Sequence, residues 1–149
     1  MPSPEINRRI AKVFATIADL LEYHGERGPR VQAYRRAAGV VARLTRPLPE
    51  LLAAGEHVPG IGKALAKKAF EVAEHGTCRK LVQLEEATPP IVRRLLAAPG
   101  IGPRHLRTLT SAFGTDEEAL RQAIARGDVA RLPGFGPARV QALQRALQN

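Results

Sequence analysis

A five-residue phrase occurs three times in this chain: VPGIG at 58–62, APGIG at 98–102 and LPGFG at 132–136. Each copy reads a small or branched apolar residue, Pro, Gly, a bulky apolar residue, Gly. Proline removes a backbone donor and glycine permits positive φ, so each phrase encodes a tight reversal that interrupts any longer helix or strand. The prolines lie 40 and 34 residues apart, which leaves room for two or three short helices between reversals but is too unequal for a strict repeat array. We read both glycines of each copy (Gly60 and Gly62, Gly100 and Gly102, Gly134 and Gly136) as giving positive φ and bare backbone.

The segments between the phrases carry helical periodicity and no β-branched runs alternating with period two, so the chain is expected to be all-α. A first helix over 5–23 presents Ile6, Ile10, Val13, Phe14, Ile17, Leu20 and Leu21 as one apolar stripe, with Ser3-Pro4 as cap and first turn. A second from Pro29 to Leu44 buries Val31, Tyr34, Ala38 and Val41 and leaves Arg30, Arg35, Arg36 and Arg43 outside. Pro47 and Pro49 open a short helix through Ala54. Further helices are expected over 63–74, closed by Gly76; from a Thr77 cap to Glu86; over 91–97; over 103–113; from the Thr115–Glu118 capping box to Arg126; and over 137–147, with Asp128 capping the turn before the last phrase. Thr88-Pro89-Pro90 is the expected boundary, giving domains 1–87 and 88–149.

Lys and Arg number 23 against 14 Asp and Glu, a net charge of +9, which favours nucleic acid or an anionic surface as partner. No apolar run reaches the roughly 20 residues of a membrane span, and the N-terminus lacks a signal-peptide core, so a cytoplasmic protein is expected, nucleoid-associated in a bacterium, with no membrane partner. The lone Cys78 excludes an internal disulfide, and the four scattered histidines, read as surface groups with His105 within reach of a phosphate, form no metal-ligand cluster. Asp occurs only at 19, 116 and 128 and no Gly-x-x-x-x-Gly-Lys loop exists. Magnesium-dependent polymerase, nuclease and NTPase chemistry by those routes is excluded.

After each phrase a helix begins, and its unpaired N–H groups and positive dipole end make a phosphate site. Lys63, Arg104 and Arg139 fall in the first turns. The residue between the glycines, Ile61, Ile101 or Phe135, is expected to tuck inward. The carbonyls of Val58, Ile61, Ala98 and Ile101 then remain available to a monovalent cation, Na+ or K+; no other cofactor is required. Three such copies are helix-hairpin-helix motifs and resemble those of many DNA-repair proteins, which grip the sugar-phosphate backbone rather than read bases. The fold expected is a helical bundle with three helix-hairpin-helix motifs.

The longer phrases QAYRRAAGVVARL (32–44), VPGIGKALAKKAFEVAEHG (58–76) and RKL (79–81) resemble the N-terminal lyase domain of the X family of DNA polymerases. APGIGPRHLRTL (98–109) and LPGFGPARV (132–140) are similar to hairpins of that family's DNA-gripping subdomain, the latter in bacterial members. The catalytic palm has no counterpart. The resemblance implies binding of gapped, nicked or abasic duplex with a 5′ phosphate, and removal of 5′-deoxyribose phosphate through a lysine Schiff base. It places the nucleophile at Lys68, an arranging tyrosine at Tyr34, and phosphate ligands at Arg30 and Lys80, with Lys63 after the hairpin as in bacterial members. Lys67 departs from the family's usual acidic residue, and Glu56-His57 from its lysines.

The residues themselves point the same way. Four of five lysines, Lys63, Lys67, Lys68 and Lys80, lie within 18 residues of an otherwise Arg-rich chain, and arginine binds phosphate but forms no imine. Leu65, Lys68 and Val72 share a face, so Lys68 interrupts an apolar stripe. Desolvation there, and like charge from Lys63, Lys67, Lys80 and Arg35, favour the neutral, nucleophilic amine. The bland readings are that Lys68 snorkels out to touch phosphate only and that Tyr34 merely packs between helices. Three functions stay open: a repair protein with lyase activity, a non-catalytic DNA-binding module that recruits other repair enzymes, and the N-terminal part of a longer X-family polymerase.

Overall fold

A computed structural model describes residues 3–148. Among them there is no strand; the chain is all-α. α1 (Glu5–Tyr23) is followed by α2 (Pro29–Arg43), α3 (Leu48–Ala53), α4 (Lys63–His75), α5 (Arg79–Glu86), α6 (Pro90–Leu96), α7 (Pro103–Phe113), α8 (Glu117–Ala125), a 3-10 turn at Val129–Arg131, and α9 (Pro137–Gln148). Contacts divide the chain into two compact units, one made of the chain up to Leu21 with Glu26–Leu84, the other of Glu22–Gly25 with the chain from Glu85 onward.

In the first unit, the α1 stripe is inside as its period requires: Ile10, Phe14 and Ile17 have no exposed surface, whereas Ile6 is half-buried. The Pro4 carbonyl starts the helix by accepting the N–H groups of Asn7 and Arg8. Asn7 is a buried polar residue within this apolar face. Its amide donates to the Arg46 carbonyl and its carbonyl accepts from the Leu48 N–H, both at 2.8 Å, so a side chain fastens α1 to the start of α3 across about forty residues and leaves no orphaned polar group. On α2 the buried face is Val31, Tyr34, Ala37 and Val41. Ala37 takes the inward place expected of Ala38, which is half-buried; both lie in register with Val41, and the pattern alone does not separate them.

Two caps differ from expectation. α5 begins at Arg79, and the Cys78 carbonyl accepts the Val82 N–H, so the buried Cys78 rather than Thr77 occupies the cap. α8 is capped by Asp116, whose carboxylate accepts the Ala119 N–H at 3.0 Å; Thr115 is not the capping residue. Both shifts move the cap one residue toward the helix. Gly76 closes α4 with φ 79°, as expected.

The second unit has a core of Val92, Leu95, Leu106, Leu109, Leu120, Leu143 and Phe135, drawn from α6, α7, α8, α9 and the last reversal. The C-terminal end of α1 belongs to it: Tyr23 packs against this core, its hydroxyl meets Thr110 Oγ1 at 2.9 Å, and its carbonyl accepts from Arg107.

Candidate nucleic-acid interface

All three phrases are reversals between helical segments. The first glycine of each is left-handed: Gly60 has φ 89°, Gly100 88° and Gly134 84°. A β-carbon there would also meet packed atoms, Val40 at 3.4 Å from Gly60, Ala142 at 3.2 Å from Gly100 and the His105 ring at 2.8 Å from Gly134. The second glycines behave differently, which corrects the expectation of positive φ at both. Gly62 (φ −86°) and Gly102 (φ −91°) are extended N-caps, a backbone any residue adopts, and Gly136 has no positive φ. A β-carbon at Gly62 or Gly136 would meet nothing within 4 Å. Neither the turn nor internal packing calls for glycine at these two positions; their bare surface faces outward.

Ile61, Ile101 and Phe135 are 7, 5 and 2% exposed, so the residue between the glycines anchors each reversal in the core. Each exit helix then starts with free N–H groups. In α4 the first residue is Lys63, whereas α7 and α9 start with Pro103 and Pro137. Proline has no N–H, so α4 presents one more donor than its counterparts.

The basic residues divide into engaged and unengaged groups. Arg30 forms a fork with Glu26 at 2.7 and 2.9 Å, Arg35 meets Asp19 at 3.0 Å, and Arg104 meets Glu22 at 3.3 Å. The Arg30–Glu26 pair is open to solvent and is held weakly. Lys63 and Lys67 are exposed, Lys68 and Lys80 half-buried, and among the described residues none of the four enters an ion pair. Arg36 also belongs here: its aliphatic stem lies 3.9 Å from where a Gly60 β-carbon would stand. The chain order gave Arg36 an outer face but held no signal that α2 runs beside this reversal.

Within the first unit the Cys78 thiol lies within range of the Lys68 and Glu71 charges, and the Tyr34 phenol within range of Arg30, Glu26 and Cys78. Burial pushes the Cys78 thiol up; the N–H groups of Leu81 and Lys80 and the Lys68 charge oppose this, and Glu71 adds to it. Burial likewise pushes the Tyr34 phenol up, against the Arg30 charge and with the help of Cys78 and Glu26. Tyr34 is 6% exposed, with its ring edge-on to Phe14 at 6.0 Å. The Glu71 carboxylate is occupied by the Arg79 N–H at 3.1 Å, which fixes the start of α5 beside α4. Glu71 was not singled out from the sequence; Cys78 was read there as the lone cysteine, and it is buried.

The second and third reversals are locked together. The Arg139 guanidinium donates to the Gly100 carbonyl at 3.3 Å and to the Gly134 carbonyl, Ala142 abuts Gly100, and His105 packs edge-on to Phe135 at 5.9 Å. Arg139 and His105 are thus half-buried ties rather than free surface groups.

Comparison with known proteins matches residues 5–78 to a helix-hairpin-helix domain and residues 92–149 to a SAM-like helix-hairpin-helix tandem. Residues 5–78 and 92–149 are thus helix-hairpin-helix domains. It is also 30% identical over 139 residues to the DNA polymerase/3′-5′ exonuclease PolX of Bacillus subtilis, a match that covers 93% of this chain and 24% of PolX. The chain therefore spans about a quarter of that relative's length, and its resemblance to the X family is established over that stretch. Helix-hairpin-helix domains are DNA-binding domains, and DNA is the partner they indicate here.

The hairpin carbonyls differ in their fitness for a monovalent cation. In the first hairpin the Val58 carbonyl accepts the Ile61 N–H at 3.0 Å, and the neutral oxygens of Val58 and Ile61 form a donor set suited to Na+ or K+. In the second, a fixed guanidinium already occupies the Gly100 carbonyl between Ala98 and Ile101, and a further cation there meets like charge. No helix among the described residues is long and apolar enough to cross a membrane.

Proposed function

We propose that this helix-hairpin-helix protein grips gapped or nicked DNA with a 5′ phosphate through its backbone, and that Lys68 removes 5′-deoxyribose phosphate, or opens an abasic site, by Schiff-base chemistry. The observation carrying the binding reading is the second glycine of the first and third hairpins. It has no internal reason to be glycine, and it leaves backbone N–H groups bare to a phosphate. Lys63 extends the first site; Lys67, Lys80, Arg30 and Arg35 add positive charge within the same unit, and Arg104 lies at the second hairpin. A cation, where bound, would be held by Val58 and Ile61 and would supply a positive charge for phosphate. Residues 1–87 are assigned the lyase-like role and residues 88–149 the grip on duplex, acting in the cytoplasm and on the nucleoid in a bacterium.

For the chemistry, Lys68 offers a primary amine on a half-buried residue that enters no ion pair among the described residues, close enough to Cys78 for its charge to act on that thiol. Its neutral amine adds to the sugar aldehyde and loses water to give an imine. The protonated imine draws electrons from the adjacent carbon, a proton leaves there, and the 3′ phosphate departs by β-elimination. Tyr34 holds the wall of the site. No step requires a metal ion.

Incubation with 5′-deoxyribose-phosphate DNA and borohydride, in EDTA, is expected to give a covalent adduct on Lys68. Lys68→Arg keeps the charge, retains most binding and loses the adduct. If wild type gives no adduct, or Lys68→Arg traps equally well, the lyase assignment fails and a non-catalytic module that recruits repair enzymes replaces it.

A further inference from the structure

Phe70 is the one large aromatic residue left 43% exposed among the described residues, in a chain with only six phenylalanines and tyrosines. Its place on α4 explains what it does not do. At roughly 100° per residue, Phe70 lies about 160° round the helix from Val72, which is fully buried. It lies about as far from Lys68. The ring therefore neither completes the core nor lines the surroundings of the proposed nucleophile. It shares its face with Lys63 and Lys67, at spacings of seven and three residues. Both are exposed, and neither enters an ion pair among the described residues. Glu74 follows a turn later and is also exposed, near His75 at 3.8 Å.

We infer that this face of α4 is a stacking platform for an unpaired nucleobase, with Phe70 the surface on which the base lies and Lys63 and Lys67 holding the strand. This rests on the DNA-binding reading and names the feature of the substrate that the first unit prefers: single-stranded bases beside the held phosphate. An exposed π-face beside two cations meets the requirements of single-strand binding, in which charge follows the backbone and rings stack with bases whatever their identity. The spacing suits it. Phe70 is seven residues, about 10 Å, along α4 from Lys63, so a strand with one phosphate at Gly62 and Lys63 reaches Phe70 within one or two nucleotides. A paired base has no free face to offer, so the platform discriminates gapped DNA from intact duplex.

The test compares Phe70→Ala, Phe70→Leu and Phe70→Tyr in the full chain on two DNAs carrying the same 5′ phosphate: one with a gap of unpaired template bases, the other nicked and fully paired. Phe70→Ala is expected to lose about five- to a hundredfold in affinity for gapped DNA and less than twofold for nicked DNA. Phe70→Tyr keeps wild-type affinity, and Phe70→Leu, apolar but without a π-face, behaves as Phe70→Ala. A 2-aminopurine in the gap is quenched by wild type and not by Phe70→Ala. Equal losses on both DNAs, no loss on gapped DNA, or full rescue by leucine overturns the platform, the last pointing to an apolar protein contact. In those outcomes wild type still binds DNA; if wild type binds neither DNA, it is the DNA-binding reading itself that falls. Unchanged helical circular dichroism checks that each variant folds.

Discussion

Gly60 and Gly62 stand two residues apart in the same hairpin and answer to different forces. Gly60 is held at φ 89° with Val40 beside it, so Gly60→Ala is expected to destabilise the protein by about 1–2 kcal/mol. Gly62 is extended and open, so Gly62→Ala is expected to leave stability within about 0.5 kcal/mol of wild type. Yet a methyl group at Gly62 stands where a phosphate approaches, and DNA affinity should fall, further when combined with Gly136→Ala. Denaturant melts and DNA titrations of the same variants separate the two effects; a stable Gly62→Ala, Gly136→Ala protein that binds DNA as wild type does would remove the main support for phosphate binding at the hairpins. The glycine pairs were plain in the sequence. That only the first of each pair is needed by the turn was not, because φ is a property of the folded backbone.

Helix α7 and the third hairpin meet through a titratable ring. Burial, and secondarily the Arg139 charge, hold the His105 pKa below the usual 6.5. As pH falls through about 6.5 the unfolded chain takes up a proton that the folded chain resists. The stability contributed by neutral His105 is thus complete above that pH and is lost as pH falls through the lower folded value. Thermal midpoints between pH 7.5 and 5 should decline more for wild type than for His105→Gln; parallel declines would show that the ring is not responsible. Elements of this kind divide by how local their causes are. The stripe of α1 and the Gly76 stop of α4 follow from residues within a turn of each other and were legible. The Asn7 clasp, Arg36 beside Gly60 and the ties of His105 and Arg139 join residues far apart in sequence, and periodicity has nothing to say about them. Lys68 stood out in the sequence as one of few lysines among many arginines, and the chemistry proposed for it is one that arginine cannot perform.

Across the whole molecule the charge of +9 sets the terms of binding. Each phosphate neutralised releases counterions, so log K should fall linearly with log salt, with a slope of about −3 or steeper if each hairpin takes one phosphate and the lysines add theirs. Changing base composition at constant DNA structure should alter affinity by less than about tenfold, since hairpin N–H groups meet no base edges. A slope near zero would exclude this mode of binding. The Arg139 tie has a further consequence for motion. With one guanidinium bonded to the carbonyls of both Gly100 and Gly134, neither reversal opens without stripping a bond from the other. Amide hydrogens over 101–106 and 135–140 should therefore exchange with deuterium through a common opening reaction, and Arg139→Ala should split it into two faster, independent ones.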